Sequence, residues 1–182
     1  MLIKTLLNNI YRMKSFVYGK IEIIGNDNDT KQLEVTIIPR KNSKALCSKC
    51  KSQAPTYDTL KERRYEHVPL WGMVVYFLYS PRRVSCKYCN KIIVEHLPWS
   101  QGKCKQTNIM KQYLAFWAKK LSWNEVATIF NTSWNRVYDA VRWVVSYGLE
   151  KRSLENISAI GIDEIMSWKG HRCFEYITFL HQ

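Results

Sequence analysis

The sequence predicts an α+β chain in three parts: a β-rich first half, a helical middle and a short closing return to strands. Three observations predict it. Apolar residues alternate with polar ones through much of residues 17–98, two Cys-x-x-Cys pairs bracket part of that stretch, and the hydrophobic period lengthens to a helical one after Lys105. With 182 residues and 46% hydrophobic side chains, the chain can bury a core as one domain or as two to three small ones.

The first part is set at residues 1–98. Val17–Ile24 and Leu33–Ile38 read as two strands joined by the polar turn Gly25-Asn-Asp-Asn-Asp, a β-hairpin. Residues 47–89 enclose a second strand-rich stretch that includes Val74-Val-Tyr-Phe-Leu-Tyr, and Leu97-Pro98-Trp99 closes this half. Cys47 and Cys50 form one pair, and Cys86 and Cys89 the other. Two residues between cysteines let a tight turn offer both thiolates to one ion, and two such turns complete a tetrahedron. The four cysteines are therefore predicted to hold a structural zinc, in a zinc-ribbon-like module with no open position for water. The 35 residues between Cys50 and Cys86 exceed the usual spacing and leave room for strands. Cys104 and Cys173 read as ordinary small side chains, and His67 and His96 as packed or surface residues.

The second part is set at residues 99–152. Met110, Tyr113, Leu114, Trp117 and Leu121 recur at helical spacing. Ser122 and Glu125 then form a capping box for a second helix, whose inner face is Trp123, Val126, Ala127 and Phe130. Asn131-Thr132 breaks that helix, and Ser133 caps a third, expected to bury Trp134, Val137, Tyr138, Val141, Val144 and Val145. Two helices joined by so short a turn make a helix-turn-helix. The third helix is then expected to turn Asn135, Arg136, Asp139, Ala140 and Arg142 outward. Asn135 and Arg136 are the expected base readers, because Asn pairs with adenine and Arg with guanine. Lys120, Thr132 and Ser133 are expected to hold backbone phosphates.

The third part, 153–182, turns strand-like again at Ala159–Asp163 and Phe174–Leu180, joined around Lys169-Gly170. Two strands alone are a marginal unit with an open edge, which invites pairing with another chain.

Charge names the partner class. Lys and Arg number 28 against 15 acids, a net +13. Residues 101–152 carry nine basic side chains against three acidic ones, and residues 40–64 carry eight against two. A surface this basic favours a polyanion, here double-stranded DNA. No apolar run is long enough for a leader or a membrane span, and cysteines without a leader point to metal and not disulfides. The expected setting is cytoplasmic and nucleoid-associated, without membrane contact.

The order of these features resembles one family. Two CxxC pairs, Leu97-Pro98-Trp99, Leu121-Ser122-Trp123, and Gly161-Ile162-Asp163-Glu164 followed by Lys169-Gly170-His171-Arg172 are similar to bacterial insertion-sequence transposases of the ISL-three type. The resemblance implies N-terminal zinc-binding and helix-turn-helix domains that bind the terminal inverted repeats of the element. It also implies that residues 153–182 begin a ribonuclease-H-like DDE domain, in which Asp163 is the first catalytic carboxylate and a ligand for Mg²⁺ or Mn²⁺. The later acids of that site do not occur before Gln182, so this truncated chain is expected to bind DNA and not to cut it. Two rival readings stay open: a regulator that occupies the same repeats, and a zinc-ribbon scaffold for protein or RNA.

Overall fold

The computed structural model describes residues 3–25 and 31–152 in full, and residues 159–166 and 173–180 by their backbone. These residues form an α+β chain of four helices and nine strands. Their order is α1 (Ile3–Ile10), β1 (Phe16–Ile24), β2 (Gln32–Pro39), β3 (Thr56–Thr59), β4 (Arg63–Leu70), β5 (Met73–Tyr79), β6 (Arg82–Cys86), β7 (Lys91–Val94), α2 (Asn108–Trp117), α3 (Trp123–Ile129), α4 (Trp134–Glu150), β8 (Ala159–Met166) and β9 (Cys173–Leu180). Met1–Val144 make one compact unit and Val145–Gln182 a second. No helix among the described residues is long and apolar enough to cross a membrane.

The predicted hairpin is present as β1 and β2, paired antiparallel from Phe16 opposite Pro39 to Ile24 opposite Gln32. The turn predicted between them lies, from Asn26 onward, outside the described residues. β5 adds to β2 in parallel and β4 adds to β5 antiparallel, giving the order β1-β2-β5-β4. Strict alternation decides which face is buried: Leu33, Val35 and Ile37 on β2, and Val75, Phe77 and Tyr79 on β5. Over this face lies Trp99, 1% exposed, with its ring edge-on to Phe16, Tyr79 and Tyr65 at centroid distances of 4.9, 5.2 and 6.1 Å. Such pairs each contribute about 0.5–1.5 kcal/mol beyond the area they bury. Helix α1, absent from the predicted elements, packs Ile3 and Leu7 against the same core.

A second sheet, β3-β6-β7, is antiparallel throughout. Its interior is small, with Ala45, Ala54 and Val84 beside Cys47 and Cys86. The chain leaves this sheet after β3, forms the β4–β5 hairpin in the larger sheet, and returns as β6. That excursion fills the long gap between the two cysteine pairs. A buried carboxylate joins the two sheets. Glu95 is 2% exposed and accepts from the Tyr79 hydroxyl, the Arg82 backbone N–H (2.9 Å) and the Arg82 guanidinium (2.6 and 3.0 Å).

The helices are tied to the larger sheet through Lys105–Thr107, which runs beside β4. The Glu66 N–H donates to Lys105 O at 2.7 Å, and the Thr107 N–H donates to Glu66 O at 2.9 Å. Thr107 then caps α2 by accepting from the Met110 N–H, and its hydroxyl also meets His67 Nδ1 at 2.9 Å. The helical core is Met110, Leu114, Val126, Ala127, Val137 and Ala140.

The face of α4 differs from expectation. Ala140, expected outward, is fully buried, whereas Trp134, Tyr138 and Val145 are exposed. The small Ala140 lets α4 lie close to α2 and α3, a contact that the large apolar residues could not make. Trp134 and Tyr138 instead stack on each other, 8° from parallel, with Trp123 against both rings.

In the second unit β8 and β9 pair antiparallel, with Asp163 opposite Tyr176. The join predicted around Lys169-Gly170, with His171 and Arg172, lies outside the described residues.

Candidate metal centre and nucleic-acid interface

Each cysteine pair sits in a turn that ends with a left-handed residue: Lys51 (φ 60°) directly after Cys50, and Asn90 (φ 49°) directly after Cys89. The two turns are thus built alike, although only Asn is a residue that accepts this conformation readily. They face each other across the ribbon. Cys47 Sγ lies 3.8 Å from Cys89 Sγ, Cys50 Sγ lies 3.5 Å from Cys86 Sγ, and the four sulfurs all fall within 4.8 Å of one another. Four thiolates about 2.3 Å from one zinc stand about 3.8 Å apart at tetrahedral angles. The spacing fits a structural zinc site completed by protein alone. Among the described residues neither His67 nor His96 joins this group.

The electrostatics of the four thiols require a cation. The Ser52 hydroxyl, 2.9 Å from Cys50 Sγ, stabilises that thiolate and lowers its pKa to about 6. The same hydroxyl lies 3.5 Å from Cys86 Sγ and lowers that pKa too. Cys89 is pushed the other way, to about 12, by hydrogen bonding to Cys50 and by burial. Thiols packed this closely cannot all ionise alone, and a divalent ion supplies the missing charge. Ser52 was not among the predicted residues, and nothing in its spacing marks it.

Residues 43–89 match the family model of the zinc-finger of transposase IS204/IS1001/IS1096/IS1165. The match takes in both cysteine pairs and the hairpin between them, so this stretch is a zinc ribbon of the transposase kind. No curated protein and no solved structure matches the chain.

The predicted DNA-contacting residues lie around α3 and α4. Ser122 caps α3 with both halves of the capping box in place: the Glu125 N–H donates to Ser122 Oγ, and the Ser122 N–H donates to the Glu125 carboxylate at 2.8 Å. Asn131 ends the helix in the left-handed region (φ 46°), and Ser133 Oγ accepts from the Arg136 N–H at 3.4 Å. Asn135, Asp139 and Arg142 are exposed at helical spacing on one face of α4. Lys120 is exposed, its ammonium 5.1 Å from the centre of the Phe116 ring.

Two residues are placed differently from expectation. Thr132 turns its hydroxyl inward, where it is sealed from solvent, so Ser133 and not Thr132 is the hydroxyl that this turn offers to a phosphate. Arg136 reaches back to β4 and pairs with Glu66 at 3.1 Å. Burial raises the Glu66 pKa, and the Arg136 charge opposes that rise. The guanidinium stays half-exposed, so it stands at the edge of the α4 face, anchored to the sheet. Asp163 lies on β8; the structure describes its backbone alone.

Proposed function

We propose that this chain is a DNA-binding part of an insertion-sequence transposase, engaging the terminal inverted repeats of its element through α3 and α4. The single observation that carries the reading is the short α3–α4 turn beside a transposase-type zinc ribbon, in one compact unit. Helices in this relation place the second one in the major groove. Asn135, Asp139 and Arg142 lie one turn apart on the outer side of α4, where base edges would meet them. Arg136 approaches from the edge, oriented by Glu66. Ser133 and Lys120 are suited to flanking phosphates, which fix register without reading sequence. Zinc holds the ribbon, and β4 ties the helices to the sheet next to it. On this reading 1–98, 99–152 and 153–182 serve as zinc-binding, DNA-reading and catalytic segments. By resemblance, Asp163 would be the first carboxylate of a site for Mg²⁺ or Mn²⁺.

Fluorescence anisotropy with the terminal-repeat duplex and a scrambled duplex tests this. Asn135→Ala is expected to weaken repeat binding by about 1–3 kcal/mol and to leave scrambled binding nearly unchanged. Equal affinity of the wild type for both duplexes rules out base reading by this helix.

A further inference from the structure

The zinc ribbon has two faces, and only one of them is occupied. The inner face carries Val84 and Cys86 with the metal-ligating turns. The outer face follows from the register. Arg83 lies opposite Val94, and Ser85 opposite Ile92, so these four side chains leave the sheet on the side away from Val84. A register shift between Thr56 and Asp58 sets both Tyr57 and Asp58 against Arg83. The extra residue of such a bulge re-aims a side chain. The Tyr57 ring accordingly lies on the outer face, its centroid 5.5 Å from the Arg83 guanidinium. Asp58 holds that guanidinium with two hydrogen bonds, one of 2.7 Å to Arg83 Nε, and thereby fixes it beside the ring.

The aromatic groups here are unusually open to solvent. Tyr57 is 59% exposed, Ile92 45%, and Tyr88, in the turn between Cys86 and Cys89, 83%. Lys87 and Lys91 directly precede Tyr88 and Ile92 and are exposed as well. Asp58 offsets Arg83, but both lysines remain, so the face is basic. A sheet that alternates exposed rings with lysines is poor at binding duplex, whose bases are already stacked. It suits a strand whose bases are free to lie on the rings while the lysines meet its phosphates. Strands are about 4.8 Å apart and rise about 3.3 Å per residue, which puts Tyr57 and Ile92 roughly 12 Å apart. That distance accommodates about three nucleotides at a rise of about 3.4 Å.

The geometry points to a second nucleic-acid site on the outer face of the ribbon, where Tyr57 and Tyr88 stack unpaired bases of single-stranded DNA and Lys87 and Lys91 hold its phosphates. This rests on the reading of the chain as a DNA-binding protein, and gives it a strand-specific site separate from α4.

The test uses the full zinc-loaded chain and three labelled probes: dT12, rU12 and the terminal-repeat duplex. Zinc content is measured for every variant, so that a misfolded ribbon is recognised. Tyr57→Ala with Tyr88→Ala is expected to weaken dT12 binding by about a hundredfold, roughly tenfold for each ring. Duplex binding should change less than about twofold, and Tyr57→Phe with Tyr88→Phe should retain dT12 binding because the stacking faces remain. Wild-type binding to duplex but not to dT12 overturns this site alone. Binding to neither probe overturns the DNA-binding reading with it. Equal loss on dT12 and duplex, loss in the Phe variant, or preference for rU12 over dT12 also contradicts the proposal.

Discussion

Trp71 occupies a place that costs it twice. It forms the tip of the β4–β5 hairpin with Gly72, and both residues have positive φ, 50° and 79°, as a two-residue turn between Leu70 and Met73 requires. Glycine takes this conformation freely; a bulky residue pays about 1 kcal/mol or more. Trp71 is also 74% exposed. Asn is the preferred partner of Gly in such turns. Trp71→Asn is therefore expected to stabilise the chain by about 0.5–1 kcal/mol, read as a higher denaturant midpoint with unchanged slope; a lower midpoint would show that the indole makes a contact worth more than the strain.

His67 is the second residue with a measurable signature. It is stacked on Phe77 at 4.3 Å, and burial lowers its pKa to about 4. Its folded pKa lies below the ordinary value, so the unfolded chain takes up the proton first. The stability tied to neutral His67 is present above about pH 6.5 and is lost as pH falls toward 4. NMR titration of its ring should show a midpoint near 4; a midpoint near 6.5 would mean that the ring is solvated. At this scale the sequence showed which residue types matter better than where they point. The apolar stripe of α4 could be drawn through Trp134 and Tyr138 or through Val137 and Ala140, and only the close packing of three helices selects the second.

The two sheets differ in what holds them. The larger one has an aromatic core around Trp99, whereas the ribbon has alanines, one valine and its cysteines. The ribbon lacks the buried area to fold on dispersion and the hydrophobic effect, so its stability comes from the metal. One zinc per chain is expected by native mass spectrometry. Chelation should remove amide-exchange protection from β3, β6 and β7 while β1, β2 and β5 keep theirs. Uniform loss across both sheets, or no bound metal, would contradict this division. Falling pH should release the ion as protons compete for the thiolates. The cysteine spacing made the site legible, and the hairpin of β1 and β2 followed from alternation. The insertion of β4 and β5 into the other sheet did not, because pairing between distant strands leaves no local mark in a sequence. Helix α1 did leave one: Ile3, Leu6, Leu7 and Ile10 have helical spacing.

For the molecule as a whole, the net charge of +13 sets how strongly DNA is attracted, and the arrangement of α3 and α4 sets where. Phosphate neutralisation supplies much of the affinity and none of the sequence reading. Both the capping box of α3 and the turn that follows it could be read from Ser122, Glu125 and Asn131. The anchoring of Arg136 to Glu66 could not, since seventy positions separate the partners. The central claim is that α4 enters the major groove of duplex DNA. Dimethyl sulfate tests it most directly, because it methylates guanine N7 in the major groove and adenine N3 in the minor groove of the same bound duplex. The account predicts protection of guanine N7 within the terminal repeat, with adenine N3 left reactive at those positions. Protection confined to adenine N3, or none in either groove at saturating protein, would contradict it.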